Sequence, residues 1–141
     1  MSDGDGEALA RRYYEAVNGG DLTALDGLLA ADYRSHRRGV PPGRETVKAF
    51  LAHFRAAFPD VSFAVDFIVT SGDLVVARTR TSGTHEAEYF GHPPTGARFV
   101  ATGIDVFRVV DGRLAEHWGE FDTFGMLQQL GLVDTGAGAA T

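Results

Sequence analysis

The sequence predicts an α+β domain in which N-terminal helices pack on a curved antiparallel sheet and a short C-terminal helix follows. Three observations predict it. Apolar residues recur with helical period to about residue 58, then alternate with strand period to about residue 121. Helices first and strands second is an α+β order. The strongest local signal is Asp111-Gly112, set between two alternating apolar runs. Such a pair marks a hairpin, because both turn positions favour φ > 0.

The first helix is expected over about 7–18, from the recurrence of Leu9, Tyr13, Ala16 and Val17. Asn18-Gly19-Gly20 has the composition that ends a helix. Asp21 is a suitable N-cap for a second helix over about 22–31, with Leu22, Leu25, Leu28 and Leu29 on one face. Tyr33 to His36 reads as a short strand, and Pro41-Pro42-Gly43 marks a loop. From Arg44, residues Val47, Phe50, Leu51, Phe54, Ala57 and Phe58 follow a clear helical period. Pro59 stops that helix, since it cannot donate to the ladder.

Val61 to Val69 then alternates as a strand, with Phe63, Val65 and Phe67 as its apolar positions. Ser71-Gly72-Asp73 is a turn, and Leu74 to Thr84 is the next strand. Its Val75, Ala77, Thr79 and Thr81 lie on one face, with Leu74, Val76, Arg78 and Arg80 on the other. A longer connection containing Gly91 to Gly96 leads to the hairpin over about 98–121. A last helix near 123–131 presents Phe124, Leu127 and Leu130. The tight turns imply antiparallel pairing. One curved sheet wrapped by helices leaves a cone with an apolar interior, a natural small-molecule pocket.

The chain has 141 residues and no internal repeat, which fits one domain over 1–141 with frayed ends at about 1–6 and 134–141. There is no cysteine, so a thiolate nucleophile and thiolate metal sites are excluded. Thirteen basic and 19 acidic residues give a net charge of -6. That argues against nucleic acid as a partner, which wants a basic face. No apolar run reaches the roughly 18 residues of a membrane span. The acidic, glycine-rich start, Met1 to Glu7, is unlike a signal peptide, so the cytoplasm is the expected location.

Candidate chemistry centres on the hairpin, whose strands carry Asp105 and His117 with Asp122 at the end. Ionisable groups on core strands are costly unless paired or functional. Pairing about Asp111-Gly112 sets Asp105 and His117 across from each other or nearly so. A carboxylate beside an imidazole is an acid/base arrangement, and the alternative is a structural ion pair. Asp122 suits either the site or an N-cap. Glu116 and Glu120 are expected to face solvent. His36 and His85 flank strands and can reach the interior, or serve as structural histidines. His53 is expected on the solvent side of its helix, and His92 at the surface or pocket rim. No HExxH or comparable spacing supports a metal site. Arg78 and Arg80 are candidates for an anionic substrate group, or for surface ion pairs. GxSxG, Walker A and GxGxxG are all absent.

Stretches across the chain carry a resemblance. They include Asn18 to Asp21, Ala31 to Tyr33 with His36, Ala57 to Asp60, Ser71 to Asp73 with Arg78, and Gly83 to His85. Gly91 to Gly96, Gly103 to Arg108, Asp111-Gly112, Glu116 to Trp118, Asp122 and Gln129 to Gly131 continue it. Over about residues 8–132 the chain resembles the SnoaL-like polyketide cyclases, or ester-cyclase-like proteins, of the NTF2-like superfamily.

The resemblance implies an NTF2-like cone-shaped barrel, a homodimer or homotetramer, and no metal or organic cofactor. It implies ring closure by intramolecular aldol condensation on an aromatic polyketide or keto ester, with a pocket aspartate as acid/base. Relatives on this fold isomerise, hydrate, open epoxides, take part in hydroxylation, or only bind. Several cyclases carry the acid/base aspartate just after the Glu-His-Trp segment, where this chain has Gly119. The expected base is therefore Asp105, then Asp122, with His117 donating to the enolate or acceptor carbonyl. Tyr14, His36, Arg78, His85, Phe90 and Trp118 are the expected substrate contacts. For Tyr14 and Trp118 the alternative is ordinary core packing.

Overall fold

The computed structural model describes residues 3–134. Helix α1 (Asp3–Gly19) buries Leu9, Ala10, Tyr14, Ala16 and Val17. It begins before the expected start near residue 7. Gly6 explains part of this extension, because a Cβ there would lie 2.8 Å from Val75, so the bare backbone lets α1 sit close to the sheet. Met1, Ser2 and residues 135–141 lie outside the described residues.

The expected second helix is shorter than its leucine pattern suggests. A 3-10 turn (Leu22–Ala24) and α2 (Leu25–Leu28) give way to strand β1 (Leu29–Ser35). Tertiary pairing outweighs local propensity here, since β1 runs along β5 (Arg113–Phe121), with Leu29 beside Leu114 and Ser35 beside His117. Helix α3 (Arg44–Ala57) ends ahead of Pro59 and buries Leu51, Phe54 and Ala57.

Strands β2 (Ser62–Ser71), β3 (Leu74–Thr84), β4 (Arg98–Val110) and β5 follow, then α4 (Thr123–Gln129). The sheet order is β1-β5-β4-β3-β2. Strands β2 to β5 are antiparallel neighbours, whereas β1 is parallel to β5. The sheet is therefore mixed and open, with β1 and β2 as its edges. The β4–β5 turn has φ of 51° at Asp111 and 75° at Gly112, as its two-residue length requires.

Val75, Ala77, Thr79 and Thr81 form the buried face of β3, continued by Phe99, Ala101, Phe107 and Val109 of β4. Helices α1 and α3 cover this inner face. One apolar cluster joins α1, α2, β1 and the centre of the sheet, and a second joins Phe54, Phe58, Phe99, Met126 and Leu130. Phe50 and Phe63 pack against both clusters.

Candidate active site

Asp105 on β4 stands opposite Gly119 on β5 and Ala77 on β3, all on the inner face. His117 lies two residues before Gly119 on the same face, opposite Phe107. Because Gly119 has no side chain, the His117 ring leans into the space it leaves. His117 Nε2 lies 2.8 Å from Asp105 Oδ1. Tyr14, on α1, donates its hydroxyl to Asp105 Oδ2 at 2.6 Å. On the other side of the imidazole, Ser35 Oγ lies 3.0 Å from His117 Nδ1. The Arg37 backbone N–H reaches Ser35 Oγ at 3.4 Å. A hydrogen-bonded chain thus runs Tyr14–Asp105–His117–Ser35, drawn from α1, β4, β5 and β1.

The chain is walled by rings. Tyr33 stacks on His117 at 6.3 Å, and Phe107 lies 5.2 Å from it. Tyr13 packs against both Tyr14 and Phe107. Tyr14, Ser35 and His117 are buried, whereas the Asp105 side chain keeps 26% of its surface exposed. The carboxylate is therefore the member a solute can reach.

Burial pushes the Tyr14 hydroxyl far above its ordinary range, and the Asp105 charge and hydrogen bond push it further. Burial also raises Tyr13 and Tyr33, again reinforced by Asp105. These three phenols stay protonated beside the carboxylate. Among the described residues no lysine or arginine pairs with Asp105. The arrangement can hold a carboxylate in place, expose it to a substrate, and offer donors to a developing oxyanion.

Tyr14, Asp105 and His117 are the expected site residues that the structure brings together. It does not bring the other six to them. His36 Nε2 bonds Glu116 at 2.7 Å, and its ring stacks on Trp118 at 4.8 Å. Arg108 lies over the other partner in that stack, 5.7 Å from the Trp118 ring. Trp118 neighbours His117 in sequence, so strand alternation sends it to the outer face. Arg78 also lies there and pairs with Asp66, as does Arg80 at 2.8 Å. On these contacts His36 and Trp118 are corrected from the interior to the outer side, and Arg78 takes its ion-pair alternative.

Asp122 caps α4, accepting the Gly125 N–H at 2.9 Å. His85 is fully buried in the second cluster, stacked on Phe58. The Thr95 N–H donates to its Nδ1 at 3.2 Å, so a neutral His85 carries its proton on Nε2, which has no partner. Phe90 sits at the tip of the Tyr89–His92 turn, 65% exposed, with φ of 47°.

Two solvent-facing expectations also change. Glu116 is half-buried between His36 and Arg108, which hold its carboxyl below the usual range. His53 is half-buried against Tyr89 and Phe90. Ser35 is the site residue that sequence reasoning missed. It reaches His117 only because β1 runs parallel to β5, and no local pattern announces that pairing. Among the described residues, no three histidine, aspartate or glutamate side chains converge as a metal site.

A model of the SnoaL-like polyketide cyclase family matches residues 7–130. Nogalonic acid methyl ester cyclase of Streptomyces nogalater is 29% identical over 122 residues, covering 82% of this chain and 90% of that protein. TsrD of Streptomyces laurentii superposes with a TM-score of 0.88 at 33% identity, covering 94% of this chain and 99% of that one. IdmH of Streptomyces antibioticus superposes with a TM-score of 0.79 at 40% identity, covering 89% and 98%.

Proposed function

The chain belongs to the SnoaL-like polyketide cyclase family, and from that premise we propose that it closes a ring on a polyketide or keto-ester substrate, with Asp105 as acid/base. The observation that carries this reading is the partly exposed Asp105 carboxylate held inside a hydrogen-bonded chain and paired, among the described residues, with no lysine or arginine. The relative from Streptomyces nogalater, named for a methyl ester of a carboxylic acid, supports the keto-ester class.

In this reading Asp105 removes a proton from a carbon flanked by carbonyls. Negative charge then passes from the carboxylate to the enolate oxygen. The Tyr14 hydroxyl and the His117 N–H, no longer needed by a neutral Asp105, turn toward that oxygen. The enolate carbon attacks a ketone carbonyl of the same substrate, held close by the surrounding walls. One carbon–carbon bond forms, and the resulting alkoxide takes back the proton that Asp105 holds. The sequence is redox-neutral, and its proton balance closes on Asp105.

The protein acts as a homodimer through the outer face of its sheet. Phe67, Val69, Val100 and Ile104 share that face and are exposed by 53%, 54%, 44% and 47%. Large exposed apolar residues set around the Arg78 and Arg80 pairs with Asp66 are what an interface covers.

The test is exchange in heavy water with a panel of keto esters and aromatic polyketide esters, followed by mass spectrometry. Enzyme-dependent deuterium uptake and cyclised product are expected, both lost in Asp105→Asn while the fold is kept. Undiminished turnover in Asp105→Asn removes the carboxylate from the reaction.

A further inference from the structure

Arg37 lies in the segment after β1 and is the half-buried cation whose side chain has no hydrogen bond or ion pair among the described residues. The other half-buried cations are all engaged. Arg44 and Lys48 pair with Asp26, Arg78 with Asp66, and Arg108 with Asp73 and Glu116. Arg55 donates to the carbonyls of Val17 and Asn18. The Arg37 guanidinium instead lies 5.3 Å over the Phe50 ring. Its charge eases the raised hydroxyls of both Tyr13 and Tyr89. Tyr13 touches Tyr14, the donor to Asp105, and Tyr89 touches Phe90. Phe50 packs on Phe54, which meets Tyr89 edge-on, and the Arg37 backbone N–H reaches Ser35, so Arg37 links the Asp105 chain to the Tyr89–His92 turn.

A second observation falls at the same place. His53 Nε2 is covered and has no partner. The ring centres of Tyr89 and Phe90 lie 5.7 and 5.1 Å from that of His53. A covered polar nitrogen left unpaired is destabilising, and a bulky residue at positive φ is strained. The turn that carries the strained Phe90 thus also packs on the His53 ring. An acceptor on a ligand would satisfy both the cation and the histidine. The flat faces of Phe50, Tyr89 and Phe90 suit a planar body.

We infer that Arg37 and His53 form an anion-recognising rim beside Asp105, which binds an acidic oxygen, a carboxylate or an ionised phenol, on a planar aromatic ligand. The inference rests on the reading of Asp105 as the base of the site. A guanidinium stacked on an aromatic face is suited to this task, because its fork of donors remains free.

The experiment titrates the full chain with anthraquinone-2-carboxylate, its methyl ester and 2-hydroxyanthraquinone, the last above and below its ionisation. The carboxylate is expected to bind about tenfold more tightly than the ester. Tightening of the phenol on ionisation would extend the rim to that class; its absence would restrict the rim to carboxylates. Arg37→Gln should abolish the acid preference and leave the ester affinity within about twofold. Arg37→Lys keeps the charge without the fork and should retain part of the preference, which guards against misfolding of the glutamine variant. His53→Phe, which keeps the stacking, should reduce the preference severalfold.

Equal affinity for acid and ester, a preference untouched by Arg37→Gln, or no binding of either probe would overturn the inference. Asp105→Asn in the same titration separates the two readings. Undiminished exchange in Asp105→Asn with the acid preference intact sinks only Asp105 as the base, whereas exchange lost in Asp105→Asn with no acid preference in the parent sinks only the rim.

Discussion

His117 and Asp105 share a 2.8 Å hydrogen bond although they are not opposite each other in their hairpin. Asp105 faces Gly119, and the imidazole crosses diagonally into the vacancy. A Cβ at Gly119 would lie 2.7 Å from His117 Cε1 and 3.0 Å from Nε2. Gly119→Ala is therefore expected to displace the ring and cost about 1–3 kcal/mol of stability by overpacking. Nitrogen NMR of His117 should show the lost bond, and exchange activity should fall with it. An unchanged His117 spectrum in a stable Gly119→Ala protein contradicts the packing argument.

Ser35 gives His117 Nδ1 its partner inside a buried site. Ser35→Ala leaves that nitrogen unpaired, a cost of about 1–3 kcal/mol. Ser35→Thr keeps a hydroxyl and should retain more of the stability. Chemical denaturation measures the difference, and the pH profile of turnover reads the altered imidazole. Equal stability of the alanine and threonine variants would count against a bond to His117.

Phe90 holds φ of 47°, a region glycine adopts freely and bulky residues do not. Phe90→Gly is expected to raise stability by about 1 kcal/mol through relief of strain. Thermal melts would show a higher midpoint. A lower midpoint would mean that the contacts of the ring with Tyr89 and His53 outweigh the strain.

Alkali should unfold the protein through its tyrosines. Tyr13, Tyr14, Tyr33 and Tyr89 are all raised above 10.0, chiefly by burial, with Tyr89 pushed up to about 12. Unfolded tyrosines ionise near 10.0, so between that value and the folded ones the unfolded chain binds fewer protons. Stability is complete below pH 10 and declines as pH rises above it. Melting points and tyrosinate absorbance followed together over roughly pH 8 to 11 should show the decline, with ionisation appearing only on unfolding. Tyrosinate signal from a fully folded protein would refute the assignment.

The outer sheet face gives a test of assembly. Phe67→Glu or Ile104→Glu places a charge among the exposed apolar residues, and burying that charge in an interface is costly. Light scattering should show a dimer for the parent and a monomer for either variant. A parent that is monomeric at all concentrations disposes of the interface.

Much of the fold was legible where local signals agreed. Leu74 to Thr84 is bounded as the turn residues before it indicate, and Pro59 marks the end of α3. Asp111-Gly112 announced the hairpin, and with it the nearness of Asp105 to His117. The limit of local reading shows at residues 29–31. Leu28, Leu29, Ala30 and Ala31 continue a helical pattern, yet the last three join β1. What overrides the pattern is a partner strand about eighty residues away. Without that pairing Ser35 could not be connected to His117. The two faces of β5 were a different matter, since alternation alone separates Trp118 from His117.

The parallel β1–β5 pairing also sets a timetable for the molecule. Tyr14 and Ser35 are made ahead of their partners, which lie 91 and 82 residues later. Helices α1 to α3 and β1 leave the ribosome before the strand that β1 must lie against exists. Contacts of such long separation close slowly, because the loop entropy must be met before they form. The Tyr14–Asp105–His117–Ser35 chain is consequently among the last features to mature, and a nascent protein short of Phe121 carries part of it on a sheet edge still awaiting its neighbour.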